Sequence, residues 1–148
     1  MRLIAFGLVF FAACDLTGPG DPVPLTSESL AGKWELVERV LSSTNPVLSD
    51  TKEISENGTI YEFTRSGGAK ESCRCGGIGP SSLVSAYSIS GDTLRLQTSE
   101  NPAFETYLAE LWTHQLILRG IGTIPHDING DGVLEDMTLT RTFQRMND

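Results

Sequence analysis

Leu30-Ala31-Gly32-Lys33-Trp34-Glu35-Leu36 is the stretch that sets the fold class. From Lys33 to Leu41 apolar and charged residues alternate. Trp34, Leu36 and Val40 fall on one side, and Lys33, Glu35 and Arg39 on the other. Successive side chains of a strand point to opposite faces, so a period of two predicts a strand with one face buried.

The same reading extends downstream. Ser42 to Asn57 is polar and Pro-containing, with Val47-Leu48 as an apolar pair that could reach a core. Asn57-Gly58 is a turn dipeptide, and Thr59 to Arg65 after it reads as a strand. Ser66 to Pro80 reads as a Gly-rich loop carrying Cys73 and Cys75. Leu83 to Ser90 and Thr93 to Gln97 read as two strands joined tightly at Gly91-Asp92. Met137 to Arg145, rich in Thr and alternating, is the last strand. Asn101 to Trp112 supports two readings. It has an N-cap residue, Pro102 at the first helical position, and Phe104, Leu108 and Leu111 at helical spacing, which predicts a helix. As a strand it would place Tyr107, Ala109 and Leu111 on one face and turn at Thr113-His114 into Gln115 to Arg119. No repeat at solenoid spacing is present.

Upstream, Met1-Arg2 is a short positive segment, and Leu3 to Ala13 is an uncharged apolar run. Eleven residues are too few for a bilayer core, which needs roughly 20, but they suit the apolar region of a secretion signal. The run ends Phe11-Ala12-Ala13-Cys14. This resembles the lipobox of bacterial lipoproteins, with Phe11 where Leu is usual. The resemblance implies that residues 1–13 are a signal peptide and that Cys14 is acylated, with palmitate-type chains, and becomes the N-terminus. Asp15 beside that cysteine resembles an inner-membrane retention signal. Residues 14–27 are Pro- and Gly-rich and read as a flexible tether, and 28–148 as one domain. The expected place is the bacterial cell envelope, with a membrane as a partner through the lipid. More than one acyl chain gives stable anchoring.

Composition narrows the rest. The formal charge is −8, from 11 Lys+Arg against 19 Asp+Glu, and 39% of residues are hydrophobic. The chain is therefore globular in type. Without a basic stripe it is not expected to bind nucleic acid.

Three segments together resemble the lipocalin-like domains of bacterial lipoproteins. They are Gly32-Lys-Trp34 at the start of the first strand, the hairpin Tyr87-Ser-Ile89-Ser-Gly91-Asp92-Thr-Leu94-Arg-Leu96, and the ending Leu139-Thr-Arg141-Thr-Phe143-Gln-Arg145. The resemblance spans residues 28–146. It implies an all-β fold, an up-and-down antiparallel barrel of about eight strands, in which 101–119 is a hairpin and not a helix. Trp34 would close one end, covered by Arg141 or Arg145 in a cation–π contact of about 0.5–2 kcal/mol. Small barrels are either filled or hold one ligand. Tyr61, Phe63, Tyr87, Tyr107 and Leu116 are the candidates to line a ligand cavity, the alternative being that they fill a dry core.

Asp127-Ile-Asn129-Gly-Asp131-Gly132-Val133-Leu-Glu135-Asp136 matches the first half of a calcium loop. Oxygen ligands would come from Asp127, Asn129, Asp131, the Val133 carbonyl and Glu135. Thr138 stands where a bidentate Glu is usual, and Asp136 is the replacement candidate. Calcium is thus a candidate cofactor, with Kd expected around 10⁻⁴–10⁻³ M. The alternative is a solvated turn built from good turn formers. Cys73 and Cys75 are expected to pair as a disulfide in an oxidising compartment, or else to offer two soft metal ligands.

No Gly-x-Ser-x-Gly, phosphate loop or His-Glu-x-x-His occurs, and there are only two His residues, so no catalytic set is expected. The leading expectation is a lipid-anchored barrel that binds a small or apolar molecule. The rival is an envelope interaction module with a filled core, touching a partner protein through its loops.

Overall fold

The structure is a computed structural model and describes residues 19–43, 51–54, 58–73, 82–98 and 105–147. Ten strands follow one four-residue helix, α1 (Ser27–Leu30): β1 (Gly32–Ser43), β2 (Thr51–Ile54), β3 (Thr59–Phe63), β4 (Gly68–Cys73), β5 (Ser82–Ser90), β6 (Thr93–Thr98), β7 (Glu105–Leu111), β8 (Gln115–Gly120), β9 (Ile124–His126) and β10 (Glu135–Arg145). All pairings are antiparallel and the sheet order is β2-β1-β3-β4-β5-β6-β7-β8-β10-β9. β1 also pairs with β10 from Trp34↔Arg145 to Ser43↔Met137, which closes the sheet.

The ten strands make eight staves. β2 and β3 lie along the same edge of β1, one beside residues 38–41 and the other beside 32–35. β8 and β9 share one edge of β10 in the same way. Each pair is one barrel strand interrupted by a short connection. Closure leaves few unpaired backbone groups at edges. The expectation of an eight-stranded up-and-down barrel therefore holds, and Glu105–Leu111 is a strand. Its helical spacing loses to pairing with β6 and β8, which buries Tyr107, Ala109 and Leu111 together.

Several local expectations shift. Val40 does not share the buried face of Trp34. The register slips between Leu36 and Glu38, so one extra residue reverses the alternation and Leu41 is buried in its place. β2 lies within a stretch read as a polar loop, and β4 within one read as a Gly-rich loop. β4 forms because Thr64 to Gly67 make a tight turn, with Thr64 N donating to the Gly68 carbonyl at 2.8 Å. Pairing of β4 with both β3 and β5 then overrides its polar composition. Residues 19–26, expected in the tether, run along the barrel. Val23 N donates to the Leu111 carbonyl at 2.9 Å, and Pro22 bridges Trp112. Val23 and Leu25 bury part of their apolar surface against the core, which favours this over a free chain.

Two apolar clusters fill the interior. The larger includes Leu30, Trp34, Phe63, Tyr87, Leu94, Leu116, Leu118 and Phe143; the smaller is Leu41, Met137 and Leu139, with Ile128 packed on it. Residues 1–18, and with them the signal and Cys14, lie outside the described residues. So do Cys75, the Cys73 side chain, and Val47-Leu48.

Candidate functional site

One end of the barrel is plugged. Thr26 caps α1 by accepting from Ser29 N at 3.1 Å, while Thr26 N donates to Ser29 Oγ at 2.9 Å. This fixes Leu30, fully buried, over the barrel bottom. Trp34 Nε1 donates to the Leu30 carbonyl at 2.8 Å. Of the two arginines offered for the cover, Arg145 takes the role, with Cζ 4.3 Å from the Trp34 ring centroid. Its Nη2 donates to the Ser29 carbonyl at 2.5 Å and its Nη1 to the Ala31 carbonyl at 3.3 Å. Burial lowers the Arg145 pKa, and among the described residues its Nε has no partner. Gly32 has φ +128°, and a Cβ there would lie 3.6 Å from Arg145 Nη1. The Gly-x-Trp signature is therefore a backbone requirement joined to a packing one.

Moving up the barrel, Phe63, Tyr87 and Leu116 sit in the packed layer. Phe63 meets Tyr87 edge-on at 5.4 Å, and Tyr87 Oη donates to the Thr64 carbonyl at 2.6 Å. Leu116 is fully buried. Tyr61 and Tyr107 lie higher and bound a polar layer. Tyr61 packs edge-on to Phe143 at 5.2 Å and donates to Glu71 Oε2 at 2.8 Å. Tyr107 Oη donates to Glu105. Burial raises both phenol pKa values above the ordinary 10.0, Arg141 opposing the shift in each case and the partner glutamates adding to it.

Arg141 stands at the centre of this layer. Its Cζ is 5.5 Å from the Tyr107 ring centroid, and Nη1 is 3.8 Å from Glu105 Oε2. Burial works against its charge, but Tyr107, Tyr61, Glu105 and Glu71 outweigh that and raise its pKa. It pairs in register with Arg39 across β1–β10, so both project from one face of that ribbon. A buried arginine between two tyrosine-bound carboxylates goes beyond the sequence expectation, in which Arg141 is only a candidate cover for Trp34. The alternation Arg141-Thr-Phe143-Gln-Arg145 puts both arginines on the inner face, and only depth along the barrel separates their roles.

Beside this layer is a cavity of about 240 Å³. Tyr107, Glu105 and Arg141 form its polar side, and Leu139, Ile121 and Ile124 its apolar side. Gly120 lies on its wall, where a Cβ would come 3.3 Å from the Leu139 carbonyl oxygen. Residues 44–50, 74–81 and 99–104, which follow β1, β4 and β6 in sequence, lie outside the described residues. A second hollow at the plugged end, larger at about 420 Å³ but more open to solvent, is lined by Val23, Leu25, Asp92, Ala109 and Leu111 among others.

Of the candidate calcium residues, Asp127, Asn129, Asp131 and Val133 lie in one tight loop between β9 and β10, and Glu135 and Asp136 begin β10. Asp127 Oδ1 accepts from Gly130 N at 2.7 Å and Asp131 N at 3.2 Å, and its Oδ2 accepts from Gly132 N at 2.9 Å. These backbone donors, Gly132 first, lower the Asp127 pKa below the ordinary 3.8. Asn129 Oδ1 accepts from Asp131 N, and Asp131 Oδ1 from Val133 N. Glu135 Oε2 accepts from Ile128 N at 3.1 Å, and Val133 and Asp136 are exposed. Among the described residues, no three acidic, His or Cys side chains converge as a metal set. In this conformation the carboxylates hold the backbone turn.

No protein-family model and no curated protein matches the chain. Among solved structures, a lipocalin-like protein from Bacteroides uniformis superposes with a TM-score of 0.55 at 17% identity, covering 80% of this chain and 99% of that one. The likeness establishes the lipocalin-like barrel fold.

Proposed function

We propose that this lipocalin-like barrel binds a small molecule in the cavity bounded by Tyr107, Gly120, Leu139 and Arg141, and that its N-terminus anchors it to a membrane of the bacterial envelope through an acylated Cys14. The observation that carries the binding reading is the asymmetry of the interior. One end is plugged by Trp34 and packed with aromatic and leucine side chains. The other holds a cavity of about 240 Å³ beside a buried polar layer, more enclosed than the open hollow of about 420 Å³ at the plugged end. Drug-sized ligands occupy pockets of roughly 300–1,000 Å³, so the occupant is small, or only part of it enters. A few fixed polar groups beside an apolar wall is the usual composition of such a site. The anchoring reading rests on the Phe11-Ala-Ala-Cys14 signature.

Native mass spectrometry of the full chain tests the first claim. A noncovalent small-molecule adduct is expected, and it should be lost in Gly120→Leu, whose side chain enters the cavity. An adduct equally abundant in both proteins would contradict it. Acyl mass on the peptide that begins at Cys14 tests the second claim, and a retained Met1 would contradict it.

A second reading, an interaction module with a filled core, draws on Ile124 in β9 and on Ile121, Val133 and Leu134 in the connections flanking it, all exposed. Cross-linking in the native membrane separates the two, since a carrier alone gives no stable protein partner. The calcium expectation has its own test. A bound ion raises the thermal midpoint by mass action, so an unchanged midpoint in several millimolar calcium discards it.

A further inference from the structure

We propose that residues 19–23 are a clasp that turns the plugged end of the barrel toward the bilayer and the cavity end away from it. The plugged end is then the surface that faces lipid, and the cavity is reached from the aqueous side. The proposal rests on the acylated-Cys14 reading above and adds the orientation that the anchor imposes.

The clasp fixes where the chain leaves the barrel. Val23 N donates to the Leu111 carbonyl at 2.9 Å, Thr113 N to the Asp21 carbonyl at 2.9 Å, and His114 N to the Pro19 carbonyl at 3.0 Å. Thr113 Oγ1 donates to the same Asp21 carbonyl at 3.2 Å. The segment therefore runs antiparallel beside the β7–β8 turn, with Pro22 bridging Trp112. That turn belongs to the plugged end, since the His114 carbonyl accepts from the N–H of Arg145, which covers Trp34. Gly20 permits the close approach. Its φ is +81°, and a Cβ there would stand 2.8 Å from Thr113 Cβ.

Lengths then decide the orientation. Cys14 lies five positions before Pro19, and whatever conformation they adopt, five residues reach at most about 18 Å. A tether free as far as Ser27 would reach about 45 Å and would let the barrel face any way. The cavity lies at the far rim, where Glu105 and Gly120 on its wall are the ends of β7 and β8 remote from the turn. The eleven residues of β10 run from one rim to the other. With strands tilted 35–45° they separate the rims by roughly 25–30 Å along the barrel axis. An 18 Å tether cannot let the far rim stand on the bilayer with the plugged end above it. Trp112, half-buried in the clasped turn, is a side chain suited to a head-group layer.

The test is an NMR measurement on the acylated full chain in phosphatidylcholine nanodiscs that carry a gadolinium chelate on some head groups. Paramagnetic broadening falls steeply with distance. Amide signals of Asp92, Trp112, Thr113 and His114 should be lost or strongly broadened, and those of Ile124, Gly130 and Gly132 should persist. A ten-residue Gly-Ser insertion after Thr17 lengthens the tether without touching the barrel and should remove this contrast. Gly20→Val, which expels the clasp, should weaken it. Equal broadening at both ends, or greater broadening at the Ile124 rim, overturns the proposal and leaves the anchoring reading standing. A contrast undiminished by the insertion overturns it too, because the short tether is then not its cause. A chain that lacks acyl mass on Cys14 and does not stay on the nanodiscs overturns both. Should Gly20→Val fail to fold by circular dichroism, the insertion decides alone.

Discussion

Single residues at the plugged end hold several bonds at once. Trp34 is fully buried, donates to the Leu30 carbonyl and lies under Arg145. Trp34→Ala should therefore cost about 3–5 kcal/mol in urea unfolding, as large aromatic truncations in cores do. Two titrations follow from other single groups. Tyr61 and Tyr107 have pKa values raised in the fold, so above the ordinary 10.0 the unfolded chain ionises while the folded one does not. Their contribution is fully present below pH 10 and is lost as pH rises beyond it. Stability should fall on the alkaline side, less so in Tyr61→Phe. Asp127 is the reverse case. Its pKa is lowered, so its contribution is present above the ordinary 3.8 and is lost as pH falls through the folded value. Proton-exchange protection at Gly130 and Gly132 should weaken in acid, and Asp127→Ala should show the weakened state at neutral pH. Trp34 was legible in the sequence because Gly-x-Trp is a local signature. The polar layer was not, since Tyr61, Glu71, Glu105 and Arg141 come from four strands and meet only through pairing.

At the scale of elements, local signals were read well where they coincide with pairing and poorly where pairing decides. The Gly91-Asp92 connection is a two-residue turn closing Ser90↔Thr93, with Gly91 at φ +60°. No atom stands within 4 Å of a Cβ built there, so Gly91→Ala tests backbone strain alone. It should cost about 1–2 kcal/mol in thermal or urea unfolding. β4 escaped notice because Gly67-Gly68 and the nearby cysteines look like loop, yet the strand is held on both sides. The slip in β1 leaves a trace in the sequence: the doublets Leu36-Val37, Glu38-Arg39 and Val40-Leu41 break the alternation, and the pairing with β10 shows the extra residue there. Asn101 to Trp112 carries real helical signals, overruled because β7 can bury Tyr107, Ala109 and Leu111 only as a strand.

The whole molecule divides its interior by depth. Packed hydrophobes and the Trp34 plug occupy one end, and the tyrosine–glutamate–arginine layer and its cavity lie beyond them. Fold class was readable because seven strand-like segments joined by turns suit a closed sheet and because Gly32-Lys-Trp34, Tyr87–Leu96 and Leu139–Arg145 together resemble lipocalin-like domains. The ligand was not, because the same fold serves many occupants and the choice rests on a few inward side chains. Backbone amide shift mapping by NMR, with hexan-1-ol titrated into the full chain, tests the central claim most directly. The account predicts that perturbations concentrate on Tyr107, Gly120 to Ile124, Leu139 and Arg141. Perturbations confined to Val23, Asp92 and Ala109 at the plugged end, or none at all, would contradict it.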